Sequence, residues 1–479
     1  MSESRPYYIA GQWKRSGARL EVFNPYNGEV VGTTSYATDA DVEEAVVAAE
    51  RAFEETRRLS SRERFEILMR VREGMERRRD EIIRLIVKEA GKPLTDATAE
   101  FERALLTLGT AAEEAKRLGG EAIPLDWAPA ADNRFGITRR FPIGPVLGIS
   151  PFNFPLSLAM HKLAPAIAAG NPIVLKPASK TPLVMLTVAE VIDEAGLPPG
   201  AVSIFPVPNE VAERIVQDER FKLLTFTGSS AVGWRLKQLA GQKRVLLELG
   251  GNAGVIVDAS APLEYAIQRL LPGSFSYAGQ SCISVQRIYL HRGIFEAFVG
   301  DFVEGATRLK VGDPMEPDTD LGPVVNERAA ARIASWIEEA IAAGARVLTG
   351  GRHDGPLFEP TVLLDSPLTA KVCMEEAFAP LVVLFPFDDF RAAVREINRS
   401  YYGLQAGVFT RDLENAWIAF EELEVGGVIV NDVPTWRVDH MPYGGTKGSG
   451  LGREGPRYAI EEMTELKLMV INRTAWAEG

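Results

Sequence analysis

The sequence predicts an α/β protein with two largely parallel sheets, each covered by helices on both faces, and a small β-hairpin. Three observations carry this expectation. From residue 142 onward, short apolar runs alternate with helical stretches, the βαβα pattern of a parallel sheet. A second such series runs from Gly254 to Val430. The segment 120–142, with Ile123-Pro124 and Arg134 to Phe141, reads as a hairpin that interrupts the first series.

Before the first series, residues 40–120 read as helices. Asp41 to Arg57 places apolar residues at 42, 45, 46, 49 and 53, a helical period. Arg62 to Ala90 repeats the pattern and stops at Gly91, with the breaker Pro93 beyond it. Glu100 to Leu118 is a third helix, ended by Gly119-Gly120. The first series then reads strand Val146–Ile149, helix Leu158–Ala169, strand Ile173–Leu175, helix Val184–Glu194, strand Val202–Phe205 and helix Val211–Val216. It closes on the strand Leu223–Thr225, which feeds a glycine-rich turn. The clearest strands of the second series are Val255–Val257, Arg287–His291, Val382–Phe385 and Val428–Asn431.

A chain of 479 residues exceeds one ordinary core, so two or three structural units are expected. With 46% hydrophobic and 25% charged residues the composition is that of a globular protein. Its formal net charge of −12 argues against non-specific binding to nucleic acid or anionic membranes. The basic run Arg77-Arg78-Arg79 lies among acids and reads as a solvated helix face. No apolar run is long enough to span a bilayer, and Met1 to Ala10 lacks the basic and apolar regions of a secretory signal. A cytoplasmic location is expected. The two cysteines, Cys282 and Cys373, cannot staple a chain this long, and a reducing compartment keeps them as thiols. The four histidines (161, 291, 353, 440) are scattered, so no metal site is expected.

Four segments carry chemistry. Cys282 lies in Gly279-Gln280-Ser281-Cys282-Ile283-Ser284. A lone cysteine is ordinarily a small core hydrophobe. Between small residues, after a helix-like stretch and before a strand, it can also present a thiol near a helix end, where its pKa falls. Glu248 follows the apolar run Val245-Leu246-Leu247 and precedes Gly250-Gly251. It reads either as a strand-end acid at a turn or as a general base given mobility by the glycines. Asn153 sits between two prolines in Ser150-Pro151-Phe152-Asn153-Phe154-Pro155, where a turn residue or a rigid oxyanion-hole amide both fit. The turn Thr227-Gly228-Ser229-Ser230-Ala231-Val232-Gly233 joins a strand to a helix. Its G-x-x-x-x-G spacing is weak evidence, but a helix N-terminus suits phosphate contact.

Together these segments resemble the aldehyde dehydrogenase superfamily. So do Lys176-Pro177-Ala178, Glu375-Glu376-Ala377-Phe378-Ala379-Pro380 and Pro442-Tyr443-Gly444-Gly445, in matching order over nearly the whole chain. The resemblance implies a Rossmann-like cofactor domain (1–123 and 143–250), a catalytic α/β domain (251–460) and a small oligomerisation segment (124–142 and 461–479) of a homodimer or homotetramer. It implies Cys282 as nucleophile, Glu248 as general base, and an oxyanion hole from Asn153 with the Cys282 N–H. Lys162 and Glu454 match a proton-relay pair. Lys176 matches a ribose ligand, Ser229 a pyrophosphate contact, and Glu376 with Phe378 the holders of the nicotinamide ribose. Ile149, Phe152, Ala178, Ser179, Lys180, Gly228, Gly233, Leu249 and Gly250 complete the implied cofactor site. Ala379 stands where the family often has glycine, and Cys373 matches no catalytic position.

In NAD-preferring relatives an acid commonly stands three residues after the Lys176 position. Ser179 followed by Lys180 favours NADP, or use of both NADP and NAD, because a carboxylate would repel a 2′-phosphate. The positions that match the substrate tunnel are Arg103, Phe154, Ser157, Leu158, His161, Arg437 and Tyr443. Their polar and cationic character implies a small polar or anionic aldehyde, since arginine fits carboxylate and phosphate in a fork. The plainer alternative for Arg103 is a surface ion pair with Glu100 or Glu102. The 141–176 block and Tyr402 to Gly407 look most like the branch of lactaldehyde, phosphonoacetaldehyde and non-phosphorylating glyceraldehyde-3-phosphate dehydrogenases. A succinate semialdehyde dehydrogenase, a CoA-acylating semialdehyde dehydrogenase and a catalytically silent structural or binding protein are the competing readings.

Overall fold

The computed structural model describes residues 4–15 and 18–476. Positions 1–3 and 477–479, at the ends of the expected cofactor and oligomerisation segments, lie outside the described residues, as do 16 and 17.

The first series forms strands β1 (Val146–Ile149), β2 (Ile173–Lys176), β3 (Val202–Ile204), β4 (Leu223–Thr227) and β5 (Arg244–Glu248). They pair in parallel in the order β3-β2-β1-β4-β5. All residues of β1 to β4 are buried, which is why these strands read as predominantly apolar runs, interrupted only by Lys176, Ser203, Thr225 and Thr227, rather than as alternating ones. The order reverses between β1 and β4, and in such sheets the crevice beyond the carboxyl ends at that point is where ligands bind. At one edge the antiparallel pair Tyr7–Ile9 and Gln12–Lys14 extends the sheet. At the other edge Gly450–Leu451 pairs with β5, and helix Pro456–Glu462 packs on helix Ser157–Ala169, so residues 450–462 pack with the first sheet.

The second series forms β6 (Ala253–Val257), β7 (Val285–His291), β8 (Thr361–Leu364), β9 (Leu381–Phe387), β10 (Gln405–Phe409) and β11 (Gly427–Val430). Their order is β8-β9-β7-β6-β10-β11, all parallel, with Arg346–Thr349 antiparallel on the β8 edge. The expected hairpin is present, Ala122–Pro124 against Arg134–Pro142. A third strand, Thr464–Asn472, pairs with Arg134–Pro142 over its whole length, from Thr464 opposite Pro142 to Asn472 opposite Arg134. No local pattern announces that partner, because it lies more than 300 residues away.

The N-terminal helices differ from expectation in two places. Helices Asp39–Thr56 and Ser61–Arg77 each open on a capping box, Thr38 with Asp41 and Ser60 with Glu63. The expected single helix 62–90 is two, Ser61–Arg77 and Arg79–Ala90, broken at Arg78 (φ −107°, ψ 20°). The Arg78 guanidinium there spans Glu81 and Glu190 instead of lying in solvent. Helix Leu94–Arg117 begins directly after Pro93, six residues before the expected Glu100, so only Gly91-Lys92-Pro93 separates two helices.

That early start matters, because it puts Lys92, Asp96 and Glu100 on one buried stripe. The Lys92 ammonium hydrogen-bonds the Glu100 carboxylate, and both side chains are wholly buried. Glu100 is therefore not the surface partner of Arg103. Its Oε1 accepts the backbone N–H groups of Leu156 (2.9 Å) and Ser157 (3.1 Å) at the start of helix Ser157–Ala169. Lys92 Nζ lies 3.5 Å from the Phe154 ring centroid and 4.4 Å from that of Tyr277. Asp96 accepts the Tyr277 N–H at 3.0 Å. Replacing Lys92 by Met leaves the Glu100 carboxylate buried without its counter-charge, at a cost of about 3–5 kcal/mol. A clear fall in the first urea-unfolding midpoint is expected, and an unchanged midpoint contradicts the pairing.

Candidate active site

A cavity of about 660 Å³ opens where β1 and β4 part. Ile149 and Phe152 enter it from β1 and its loop, and Lys176, Ala178, Ser179 and Lys180 from β2 and its loop. Gly228 and Ser229 follow β4, Leu249 and Gly250 follow β5, and Glu376 and Phe378 close the cavity from the side of the second sheet. Val232 and Leu236, one helical turn apart on Ser230–Leu239, also line it and were not picked from the sequence. Gly233 does not line it. A Cβ there would lie 2.3 Å from Leu249 Cδ2, so this glycine permits close helix–strand packing instead of ligand approach.

These walls fit a dinucleotide. The helix Ser230–Leu239 starts at the cavity, and its N-cap Ser229 makes no side-chain cap bond, so first-turn amides are left for an anion. Lys176 has no carboxylate within ion-pair distance among the described residues, and burial brings its pKa down to about 8. A buried ammonium of this kind calls for a polar partner such as a ribose hydroxyl. A Cβ at Gly250 would lie 2.4 Å from Glu376 Oε2, so the turn after β5 accepts the carboxylate only as glycine. Glu376 also accepts the Gly251 N–H at 3.0 Å, and burial raises its pKa to about 7. Lys180 is exposed, with Nζ 3.3 Å from the Val325 carbonyl.

A second, smaller cavity of about 220 Å³ is lined by Arg103, Phe154, Ser157, Leu158, Arg437 and Tyr443. Tyr277, Arg269 and Thr435 also line it and were missed by sequence reasoning. Cys282 lines both cavities. It follows a run of left-handed residues, Tyr277 (φ 49°), Ala278 (φ 52°) and Gly279 (φ 68°). Such non-glycine conformations cost about 1–3 kcal/mol each and persist only where surroundings impose them. Here Asp96 holds Tyr277, and Asn153 Nδ2 donates to the Gln280 carbonyl at 2.9 Å. That bond uses one of the two amide hydrogens of Asn153 and orients the other.

The thiol departs from expectation. No regular helix ends at it, only a short 3₁₀ turn (Ser276–Gly279), and burial pushes its pKa up to about 12, with Glu376 and Glu248 adding to the rise. The Tyr443 hydroxyl, 3.0 Å from Sγ, and the Arg437 charge oppose it. Glu248 ends β5, and its Oε2 is buried without a hydrogen-bond partner. Burial first, then the Glu454 carboxylate, raise its pKa well above the usual range, against Arg437 and Lys162.

The expected relay residues Lys162 and Glu454 face each other without a direct bond. Lys162 Nζ donates to Thr227 (2.6 Å) and Thr225 (3.3 Å), not to Glu454. Glu454 instead pairs with Arg437 at 3.0 Å, and despite burial the facing His161, Arg437 and Lys162 hold it below its ordinary pKa. Asp439, wholly buried, takes Arg103 through Nε (3.2 Å) and Nη2 (2.7 Å), and His161 Nε2 at 2.9 Å. His161 lines neither cavity, because it is spent behind Arg437 between Asp439 and Glu454. Asp439 was not picked from the sequence, where nothing sets it apart from other loop acids.

The walls of the larger cavity suit a dinucleotide and it meets a second cavity at Cys282, an arrangement that fits a nicotinamide-dependent oxidoreductase. The pattern described as the aldehyde dehydrogenase family matches residues 13–469. A 3-sulfolactaldehyde dehydrogenase of Priestia megaterium is 44% identical over 466 residues, covering 97% of each chain. The structure of aldehyde dehydrogenase 21 from Physcomitrella patens, in complex with the reaction product succinate, superposes with a TM-score of 0.97 at 46% identity, covering 98% of this chain and 99% of that one. The glyceraldehyde-3-phosphate dehydrogenase of Methanocaldococcus jannaschii complexed with NADP gives 0.91 at 38% identity, covering 95% and 99%. The chain belongs to the aldehyde dehydrogenase family.

With its raised pKa, the Glu248 carboxyl is protonated at pH values where an ordinary glutamate is already ionised, so in the general-base role that the family resemblance implies it would be idle there. Turnover is therefore expected to rise with pH through the elevated Glu248 pKa and to be lost as pH falls below it. Glu248→Gln should slow turnover by about 100- to 10,000-fold and remove that acid limb. A pH–rate profile with the same limb in the variant contradicts the assignment.

Proposed function

We propose that this enzyme oxidises a small polar or anionic aldehyde to its carboxylic acid through a thiohemiacetal and then a thioester on Cys282. The observation that carries the proposal is the position of Cys282, which lines both cavities, one shared with Glu248 and Glu376 and the other with the polar substrate positions. The first sheet and its helices hold the cofactor, and the second carries the nucleophile. A nicotinamide dinucleotide, when bound, accepts the hydride that leaves the aldehyde carbon. NADP, or both NADP and NAD, fits Ser179 and the nearby Lys180.

The chain's own residues account for the rest. Glu248 takes the thiol proton, and the thiolate attacks the aldehyde carbon. The resulting oxyanion lies against the free Asn153 amide hydrogen and the Cys282 N–H, contacts that strengthen in the transition state. Loss of hydride from the adduct leaves the thioester on Cys282. Glu248, its first proton having passed to solvent, then takes a proton from water as that water attacks the thioester carbon; the C–S bond breaks, the Cys282 thiolate is restored and the acid departs. The unpartnered Glu248 oxygen supports hydrolysis over transfer to CoA. Release of the acid at an unchanged rate with and without CoA checks this. A silent structural protein has no use for a buried, unpaired carboxylate beside a thiol.

Apolar side chains are exposed on Thr464–Asn472 (Leu466, Leu468, Met469, Val470) and on helix Leu413–Glu422 (Leu413, Trp417, Phe420). Such patches on a folded chain mark association surfaces, and a homodimer or homotetramer accounts for them. Two free thiols are in keeping with a reducing cytoplasm.

For the substrate, Asp439 and Glu454 neutralise much of Arg103 and Arg437, so the cavity is polar rather than a bare cationic pocket. Arg103 keeps Nη1 beyond its bonds to Asp439. Arg103→Ala should cost about 1.5–3 kcal/mol on an anionic aldehyde, or about 10- to 150-fold in kcat/KM, and little on a neutral one of equal size. Succinate semialdehyde and glyceraldehyde 3-phosphate against propanal provide the comparison, and equal losses refute an anion contact. The experiment on the function itself is Cys282→Ala. It should abolish NAD(P)H formation while cofactor binding persists, and substantial residual turnover overturns the proposal.

A further inference from the structure

Tyr443 matches a position that lines a substrate tunnel, yet its hydroxyl does something more specific. Oη lies 3.0 Å from Cys282 Sγ, and among the described residues it has no other hydrogen-bond partner. The ring is held on two sides. Its backbone N–H and C=O pair with those of Glu454 (3.0 and 2.6 Å), and the Arg437 guanidinium lies 3.8 Å from the ring centroid. Arg437 is itself anchored by Glu454, with Asp439 beyond. A buried chain thus runs from two carboxylates through a guanidinium and a phenol to the sulfur.

We propose that Tyr443 is a catalytic residue whose hydroxyl donates to Cys282 Sγ and stabilises the thiolate. It rests on Cys282 being the nucleophile. In the resting thiol either partner can be the donor. Once the sulfur has lost its proton to Glu248, only the phenol has a hydrogen to give. Tyr443 keeps its own proton throughout, in keeping with a pKa that burial and the neighbouring Cys282 raise well above the usual range. The contact counters the other groups that face the sulfur. Glu248 and Glu376 both disfavour the thiolate, as does burial, while Arg437 favours it. A donor aimed at the anion suits this site, because a hydrogen bond to a charged group is worth more in a buried setting than in water. The interaction also fades once carbon is bonded to sulfur, since a thioether-like sulfur accepts weakly. Its effect is therefore confined to thiolate formation and attack.

The test is alkylation by iodoacetamide, followed at Cys282 by peptide mass spectrometry from about pH 7 to 10 in the wild-type enzyme and in Tyr443→Phe. That substitution deletes one oxygen. Loss of a hydrogen bond to an anion should displace the Cys282 rate profile to higher pH by about one unit, an up to tenfold slower labelling at a given pH. Cys373, buried at 3.5 Å from the Ser366 hydroxyl, serves as internal reference and should be unaffected. Coincident profiles, faster labelling of Cys282, or parallel changes at both cysteines overturn the proposal. Residual turnover is read in parallel. If full alkylation of Cys282 leaves turnover intact, the nucleophile assignment falls. If alkylation abolishes turnover and the profiles still coincide, only the role of Tyr443 falls.

Discussion

The thiol and the amide proposed to stabilise its adduct come from different sheets, and their chemistry tolerates little relative movement. Cys282 precedes β7 of the second sheet, whereas Asn153 follows β1 of the first. One hydrogen bond, from the Asn153 amide to the Gln280 carbonyl, joins the two loops directly. Beneath it Lys92, Asp96 and Glu100 act on both loops at once. Glu100 caps the helix after Asn153, Asp96 holds Tyr277 before Cys282, and the Lys92 ammonium sits against the Phe154 and Tyr277 rings. A buried ion pair of this kind adds little stability beyond an apolar pair of the same shape, but removing either half is costly. Through these contacts it ties the loop after β1 to the turn before Cys282.

The same burial that secures the geometry makes the chemistry depend on neighbours. Desolvation disfavours the thiolate at Cys282 and the carboxylate at Glu248 alike. Two groups whose charged forms are both disfavoured exchange a proton at smaller cost than either would lose one to water. The charges of Arg437, Lys162 and Glu454 then set the balance. Glu454 stays ionised because Arg437 and His161 face it, and its negative charge keeps Glu248 protonated to higher pH. Asp439 stands behind this set and links Arg103, His161 and Arg437, so a residue in neither cavity influences both.

Much of this was legible in the chain. The runs at 146–149 and 173–175 carry no polar side chain because both faces of their sheet are covered, and that continuity is a local property of sequence. The motif residues at strand ends, Lys176, Gly228 and Glu248, were legible for a related reason. A parallel sheet presents its carboxyl ends at one crevice, so residues just after strands share a site whatever their distance in sequence. Gly233 shows the limit. Its spacing reads as ligand contact, but the Leu249 side chain that actually needs the space comes from the turn after another strand, β5.

By itself, then, the amino-acid sequence determined the fold class and the family and singled out Cys282, Glu248 and Asn153 as candidates, because these depend on periodicity and on short motifs. Tertiary structure alone decided which charges meet. It gave Glu100 to Lys92 rather than Arg103, Lys162 to two threonines, and Arg103 and His161 to Asp439. It also turned an expected acidic thiol into one that burial makes weakly acid, with the Tyr443 hydroxyl set against it. The physical reason is that ion pairing and desolvation act through space. A residue's partners across a core leave no period in its own stretch of chain, and the cost of burying its charge is set by everything packed around it.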